Sequence, residues 1–205
     1  MKTSIIGRGQ VGLALAPALA FAGHEVRFGV RDPSDAKHAD SETPVYSTRD
    51  ASAWGEVIIA AIRWDGVERF LAEAGDLAGK VLIDCINPLD FTGGLRRLIP
   101  ANTSTASLIQ ARTQAAVVKT LNHVGASVTG HARNYAPKPL QFVAGEDGAA
   151  KQTAITLLES IGFDARDAGS LNHAADLEAM ARLWIVQASL HGMAPDTSWA
   201  LIAPD

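Results

Sequence analysis

The sequence predicts an α/β fold, a doubly wound parallel sheet with a small C-terminal extension ending in helices. Three features lead there. Short apolar runs alternate with stretches of helical spacing, a glycine-spaced turn follows the first run directly, and a long amphipathic segment comes near the end. With 205 residues, 47% hydrophobic and 20% charged, the chain can build one such unit with a full core but not a large second domain.

The elements follow in order. Residues 3–6 read as a buried first strand, 11–22 as an apolar helix and 24–30 as a second strand. A polar loop over 32–43 contains Pro33, and 45–47 suits a short strand. The run 57–62 is continuously apolar, as in a strand covered on both faces, and 64–77 has helical spacing. A strand at 81–84 ends before Asn87-Pro88-Leu89, Gly93-Gly94 marks a loop, 104–112 suits a helix and 116–121 a further strand. After a proline-containing connection at 134–139, a strand at 140–144, a helix at 147–160 closed by Gly162 and a strand at 163–167 are expected to extend the same sheet. Segment 171–190 carries Leu177, Met180, Ala181, Trp184, Ile185 and Ala188 on one face of a long helix, able to pack on the core, cover a cleft or meet a second subunit.

Gly7-Arg8-Gly9-Gln10-Val11-Gly12 occupies the first strand-to-helix turn. Gly7 permits the tight turn, Gly9 lets backbone approach a pyrophosphate, and Gly12 lets helix and strand pack closely. The helix N-terminus adds unpaired N–H groups and partial positive charge. At the end of the second strand, where the adenosine ribose lies in Rossmann sheets, Val30-Arg31 stands in place of the usual acid. A guanidinium there pairs with a 2′-phosphate and points to NADP(H), whereas Asp32, one position on, would restore NAD. Lys37 reaches the same phosphate or is a solvated surface lysine. Residues 1–170 are thus expected to form the NADP-binding domain with its sheet extension, and 171–205 a helical segment covering the cleft and contributing to a dimer.

A net charge of −4 argues against nucleic acid or an anionic membrane as partner. The single cysteine, Cys85, sits in an apolar run and suits a buried thiol in a reducing cytoplasm. Residues 1–22 superficially imitate a signal peptide, but Arg8 and the glycines interrupt its apolar part, and no run is long enough to span a membrane. His38, His131, His173 and His191 lack ligand-like spacing, so no metal is expected.

The motif order resembles the coenzyme F420-dependent NADP oxidoreductase family, whose Rossmann core also occurs in mammalian metalloreductases. The resemblance is carried by the glycine turn, Gly23-His24-Glu25-Val26 through Arg31-Asp32-Pro33, Ala61-Ile62-Arg63-Trp64, Ile83-Asp84-Cys85-Ile86-Asn87-Pro88-Leu89, Val117-Val118-Lys119-Thr120-Leu121-Asn122, Asp167-Ala168-Gly169 and Gly192-Met193-Ala194-Pro195. It implies NADP(H) binding, a homodimer and direct hydride transfer between nicotinamide and a second ring, F420 or a flavin. It also implies that Arg8, Gly9, Gln10 and Val11 line the pyrophosphate, that Arg31 holds the 2′-phosphate, and that Ile62, Trp64 and Asn87 border the cofactor. Asn122 and the backbone of Ala126 would contact the nicotinamide or the second ring, with Met193 at the acceptor mouth.

The chain departs from the family pattern at Arg63, usually proline, at His123, usually small, and in a tail lacking a common lysine. Arg63 either anchors an acidic substrate in the pocket or pairs at the rim with Asp65 or Asp90. Ring-to-ring transfer needs orientation before it needs an acid, and no Tyr-x-x-x-Lys dyad is present. A carbonyl, imine or enone acceptor would need a proton donor, for which His123 is the candidate, with Asn122 beside it; otherwise His123 is a hydrogen-bonded rim histidine. Lys119-x-x-Asn122 imitates the pair of 3-hydroxyacid dehydrogenases but follows a strand rather than lying on a helix. A non-enzymatic reading, an NADPH sensor or regulatory subunit, stays open.

Overall fold

A computed structural model describes residues 1–92 and 94–204. Ten strands and seven helices follow one another as β1 (Lys2–Ile6), α1 (Gln10–Phe21), β2 (Glu25–Val30), β3 (Val45–Ser47), α2 (Thr48–Trp54), β4 (Val57–Ala60), α3 (Val67–Glu73), β5 (Val81–Asp84), β6 (Leu89–Asp90), β7 (Arg96–Arg97), α4 (Thr105–Gln110), β8 (Ala116–Lys119), α5 (Ala126–His131), β9 (Leu140–Gly145), α6 (Gly148–Ser160), β10 (Asp164–Gly169) and α7 (Ala174–Leu190). Eight strands form one sheet in the order β10-β9-β8-β5-β4-β1-β2-β3, and β6 and β7 make a small hairpin. The chain is a doubly wound, mostly parallel Rossmann-like sheet with a helical C-terminal region.

Its apolar runs are uninterrupted because each strand feeds two cores. Ile5, Ile59, Ile83 and Val118 point to the face covered by α1, α5 and α6, where they meet Leu15, Val128 and Leu157. Their neighbours Ile6, Ile58, Leu82 and Val117 point the other way, toward Phe70 of α3, Ile109 of α4 and Ala174 of α7. That period-two division is what a parallel sheet with helices on both faces requires.

Several expectations shift. The sheet extension exists, but β9 runs antiparallel to β8, with Val118 opposite Gly145. The six-residue α5 rises only about 9 Å, so the chain re-enters the sheet from the end at which β8 left it. The helix expected over 64–77 divides into a 3-10 turn, Trp64–Gly66, and the shorter α3. Likewise 171–190 begins as a 3-10 turn, Leu171–His173, before α7. No further helix follows α7 among the described residues. Of the loop at Gly93-Gly94, Gly93 lies outside the described residues.

The tail after α7 is instead an irregular strap held by its main-chain oxygens. Pro195 O accepts from the Ser127 hydroxyl, Asp196 O from Tyr135, Thr197 O from the Trp184 indole and Trp199 O from Leu140 N, all at 2.7–2.8 Å. The Trp199 indole N–H returns a hydrogen bond to His123 O at 3.1 Å.

Candidate functional site

Gly7 has φ +103°, and a Cβ there would stand 2.4 Å from Ala61 O; one on Gly12 would stand 2.2 Å from Gly7 O. Only glycine fits either place. Gly9 precedes α1 in extended conformation with nothing within 4 Å of where its Cβ would be, leaving the backbone approachable. Beside this turn, at the C-terminal ends of β1, β2 and β4, opens a cleft of about 710 Å³.

Gly7, Arg8, Gly9, Arg31, Lys37, Ile62 and Arg63 all line that cleft. Gln10, Val11 and Gly12 start α1 behind it, and Gln10 is exposed. Arg8 does not extend along the turn. Its Nη1 donates to Lys37 O at 3.0 Å and lies 3.5 Å from His38 Nδ1, tying the glycine turn to the loop after β2. Asp32, the rival for a ribose, has one oxygen engaged: its Oδ1 accepts from Ser34 N at 2.9 Å and from the Ser34 hydroxyl at 2.5 Å. Lys37 pairs with Asp35 at 2.6 Å, and Arg63 leans on Asp65 at 3.7 Å. Arg31 has no side-chain hydrogen bond or ion pair among the described residues.

The residues expected at the nicotinamide end are arranged differently. Trp64 is half-buried against the Phe70 side of the core and does not line the cleft. Asn87 and Asn122 face each other beyond β5 and β8: Asn87 Nδ2 donates to Asn122 O at 2.7 Å, and Asn122 Nδ2 to Asn87 Oδ1 at 3.0 Å. The second amide hydrogen of Asn122 goes to Leu177 O on α7 at 3.0 Å. Both amide hydrogens of Asn122 are thus used inside the protein. Ala126 begins α5, and Met193 sits in the turn after α7, its N–H bonded to Gln187 O.

His123, expected at the rim, is instead fully buried, which corrects that placement. Leu121, with φ +60°, turns the chain so that the imidazole packs beneath β9 with no exposed surface. Its Nε2 accepts from Phe142 N at 3.3 Å, and Nδ1 donates to Asn122 Oδ1, 3.2 Å away. Burial, assisted by the nearby Lys119 charge, lowers its pKa to about 3, so the ring is neutral.

A second charged cluster, unforeseen as such, lies sealed at the same edge of the sheet. The fully buried Lys119 ammonium is 3.1 Å from Asp84 Oδ2, 3.2 Å from Glu178 Oε1 and 2.8 Å from Thr105 Oγ1, and it also contacts Ile86 O. Thr105 N donates to Glu178 Oε1 at 2.8 Å, and Arg97 of β7 completes the group 2.8 Å from Glu178 Oε2. Burial raises the Asp84 carboxyl against the pull of Lys119. Two cations thus balance two carboxylates, and Glu178 fastens α7 to β7, β8 and α4. Lys119 therefore works in the architecture rather than with Asn122. The signal available in sequence was a charge at a core position of each of three elements.

A turn that admits only backbone, opening onto a partly cationic cleft at the centre of a doubly wound sheet, defines a dinucleotide-binding domain. Residues 2–88 match the family described as NADP oxidoreductase, coenzyme F420-dependent. A solved protein from Arthrobacter sp. FB24, assigned as an F420-dependent NADP-reductase, is 35% identical across 95% of this chain and 96% of its own, with a TM-score of 0.83. The chain belongs to the coenzyme F420-dependent NADP oxidoreductase family. Metalloreductase STEAP3 of Rattus norvegicus is 29% identical over 180 residues, 87% of this chain, which spans only 36% of that protein's length. An imine reductase from Bacillus cereus, 18% identical over 93% of this chain and 62% of its own, shares the fold with a TM-score of 0.66. Among the described residues, no helix is long and apolar enough to cross a membrane, and no group of three His, Cys, Asp or Glu could hold a metal.

Proposed function

We propose that this member of the family transfers a hydride between NADP(H) and a deazaflavin or flavin ring. The observation that carries the cofactor assignment is the division of labour after β2: Asp32 Oδ1 is turned to Ser34, while Arg31 lines the cleft with no side-chain hydrogen bond or ion pair among the described residues. A 2′-phosphate supplies the partner that Arg31 lacks. When bound, the nicotinamide supplies the hydride. The chain contributes a backbone cradle at Gly7 and Gly9, a cation at Arg31, and an ordered wall at Ile62.

The proton inventory supports a ring acceptor. His123 is sealed and neutral, both amide hydrogens of Asn122 are used, and Lys119 is caged by oxygens. Reduction of a carbonyl or imine needs a donor within about 3 Å of the reacting atom. Hydride passage between stacked rings needs geometry alone from the protein.

Stopped-flow oxidation of NADPH with F420, FMN and a panel of small carbonyl and imine compounds tests this. Saturable turnover with a ring compound is expected. Turnover of a carbonyl or imine, with neither ring compound accepted, would replace the reading; failure with every acceptor, despite tight NADPH binding, would favour a sensor. We place this work in a reducing cytoplasm, where the thiol of Cys85, pushed up by burial, stays protonated. We further propose a homodimer using the α7 face on which Leu183 and Leu190 are exposed. Light scattering at micromolar concentration should give twice the chain mass, and a strict monomer would refute it.

A further inference from the structure

Besides His38, nine acidic or basic side chains line the cleft, and most are already engaged. Arg8 is on Lys37 O, Asp32 on Ser34, Asp35 and Lys37 on each other, and Arg63 on Asp65. Three have no side-chain hydrogen bond or ion pair among the described residues: Arg31, Arg69 and Glu73. Arg31 belongs to the wall after β2, and the phosphate reading accounts for it. Arg69 and Glu73 belong to the opposite wall, on α3, one helical turn apart and therefore on one face.

The two walls differ in charge. The glycine turn and the β2 wall together carry three cations, Arg8, Arg31 and Lys37, against two carboxylates, Asp32 and Asp35. The α3 wall balances Arg63 and Arg69 against Asp65 and Glu73. A phosphate suits the first wall and would be repelled by Glu73 at the second. A neutral ligand suits the second, and it needs an electron-rich face for the guanidinium and a donor for the carboxylate. Adenine has both, a purine π-face and an exocyclic amine. Because β1 lies between β2 and β4 in the sheet, a nucleotide whose ribose meets the end of β2 carries its base between these two walls.

Resting on the NADP(H) reading, we infer that Arg69 and Glu73 form the adenine subsite, the Arg69 guanidinium stacking on the purine while Glu73 accepts a hydrogen bond from its 6-amino group. The pair reads the base and leaves the 2′-phosphate to Arg31.

Fluorescence titration with NADPH, NADH and the hypoxanthine analogue of NADPH, in which a 6-oxo group replaces the amine, tests the assignment. Arg69→Ala should weaken NADPH and NADH alike, by about three- to tenfold, whereas Arg31→Ala should weaken only NADPH. Wild type should prefer NADPH to its hypoxanthine analogue, and Glu73→Gln should narrow that preference, because a side-chain amide can donate to the oxo group. Unchanged melting temperatures would show that both substitutions leave the fold intact. The inference is overturned if Arg69→Ala changes neither affinity or only that for NADPH, or if wild type does not distinguish the hypoxanthine analogue. If wild type binds neither nicotinamide cofactor, it is the functional reading that fails, and the subsite with it.

Discussion

Two charged regions share the C-terminal edge of this sheet and are built on opposite terms. In the cleft, Arg31, Arg69 and Glu73 have no side-chain hydrogen bond or ion pair among the described residues. In the cluster behind β5 and β8, Lys119, Asp84 and Glu178 have almost no exposed surface, and each charge meets an opposite one. Water keeps the unpaired ions of the first region available to a ligand; desolvation makes the ions of the second depend on one another. Charge therefore serves recognition where solvent reaches it and architecture where solvent is excluded.

The largest test of that contrast removes a partner from the sealed cluster. Lys119→Met should destabilise the fold by about 3–5 kcal/mol, because two buried carboxylates lose their shared cation. Urea unfolding would measure it. Glu178→Gln alone should cost less, and the two losses combined should fall well short of their sum. Additive losses would show that the cluster does not act as a unit.

In the open region the effect belongs to binding. Arg31→Ala should leave stability unchanged but cost about 1.5–3 kcal/mol of NADPH affinity, with NADH unaffected; equal losses for both cofactors would remove Arg31 from the phosphate. A smaller effect concerns His123, whose pKa burial lowers to about 3 from the ordinary 6.5 of a histidine. The folded state holds the ring neutral, so its contribution is fully present above pH 6.5 and lost as pH falls toward 3, by about 1.4 kcal/mol per pH unit. The stability gap between wild type and His123→Gln should therefore shrink in acid. A gap independent of pH would mean that the ring titrates normally.

The cleft was legible in sequence because its determinants are local. The glycine spacing and the position of Arg31 are set within one strand-turn-helix-strand unit. The two-sided core was equally plain from the apolar runs. The short helix α2 was missed, although Ser47-Thr48-Arg49-Asp50 carries its cap, with Ser47 accepting from Asp50 N. Its few residues gave no apolar period to find. The sealed cluster could not be assembled from sequence because Asp84, Lys119 and Glu178 converge from three distant segments. His123 was misplaced for a related reason: its burial follows from the left-handed backbone at Leu121, which no residue type announces.

The strap after α7 separates path from identity. Pro195, Asp196 and Thr197 are gripped through their carbonyl oxygens, a group every amino acid possesses, while their side chains remain exposed. The information that fixes this segment resides in Ser127, Tyr135 and Trp184 of the body. The strap thus offers a short stretch on which new side-chain chemistry can be written without altering the route of the chain.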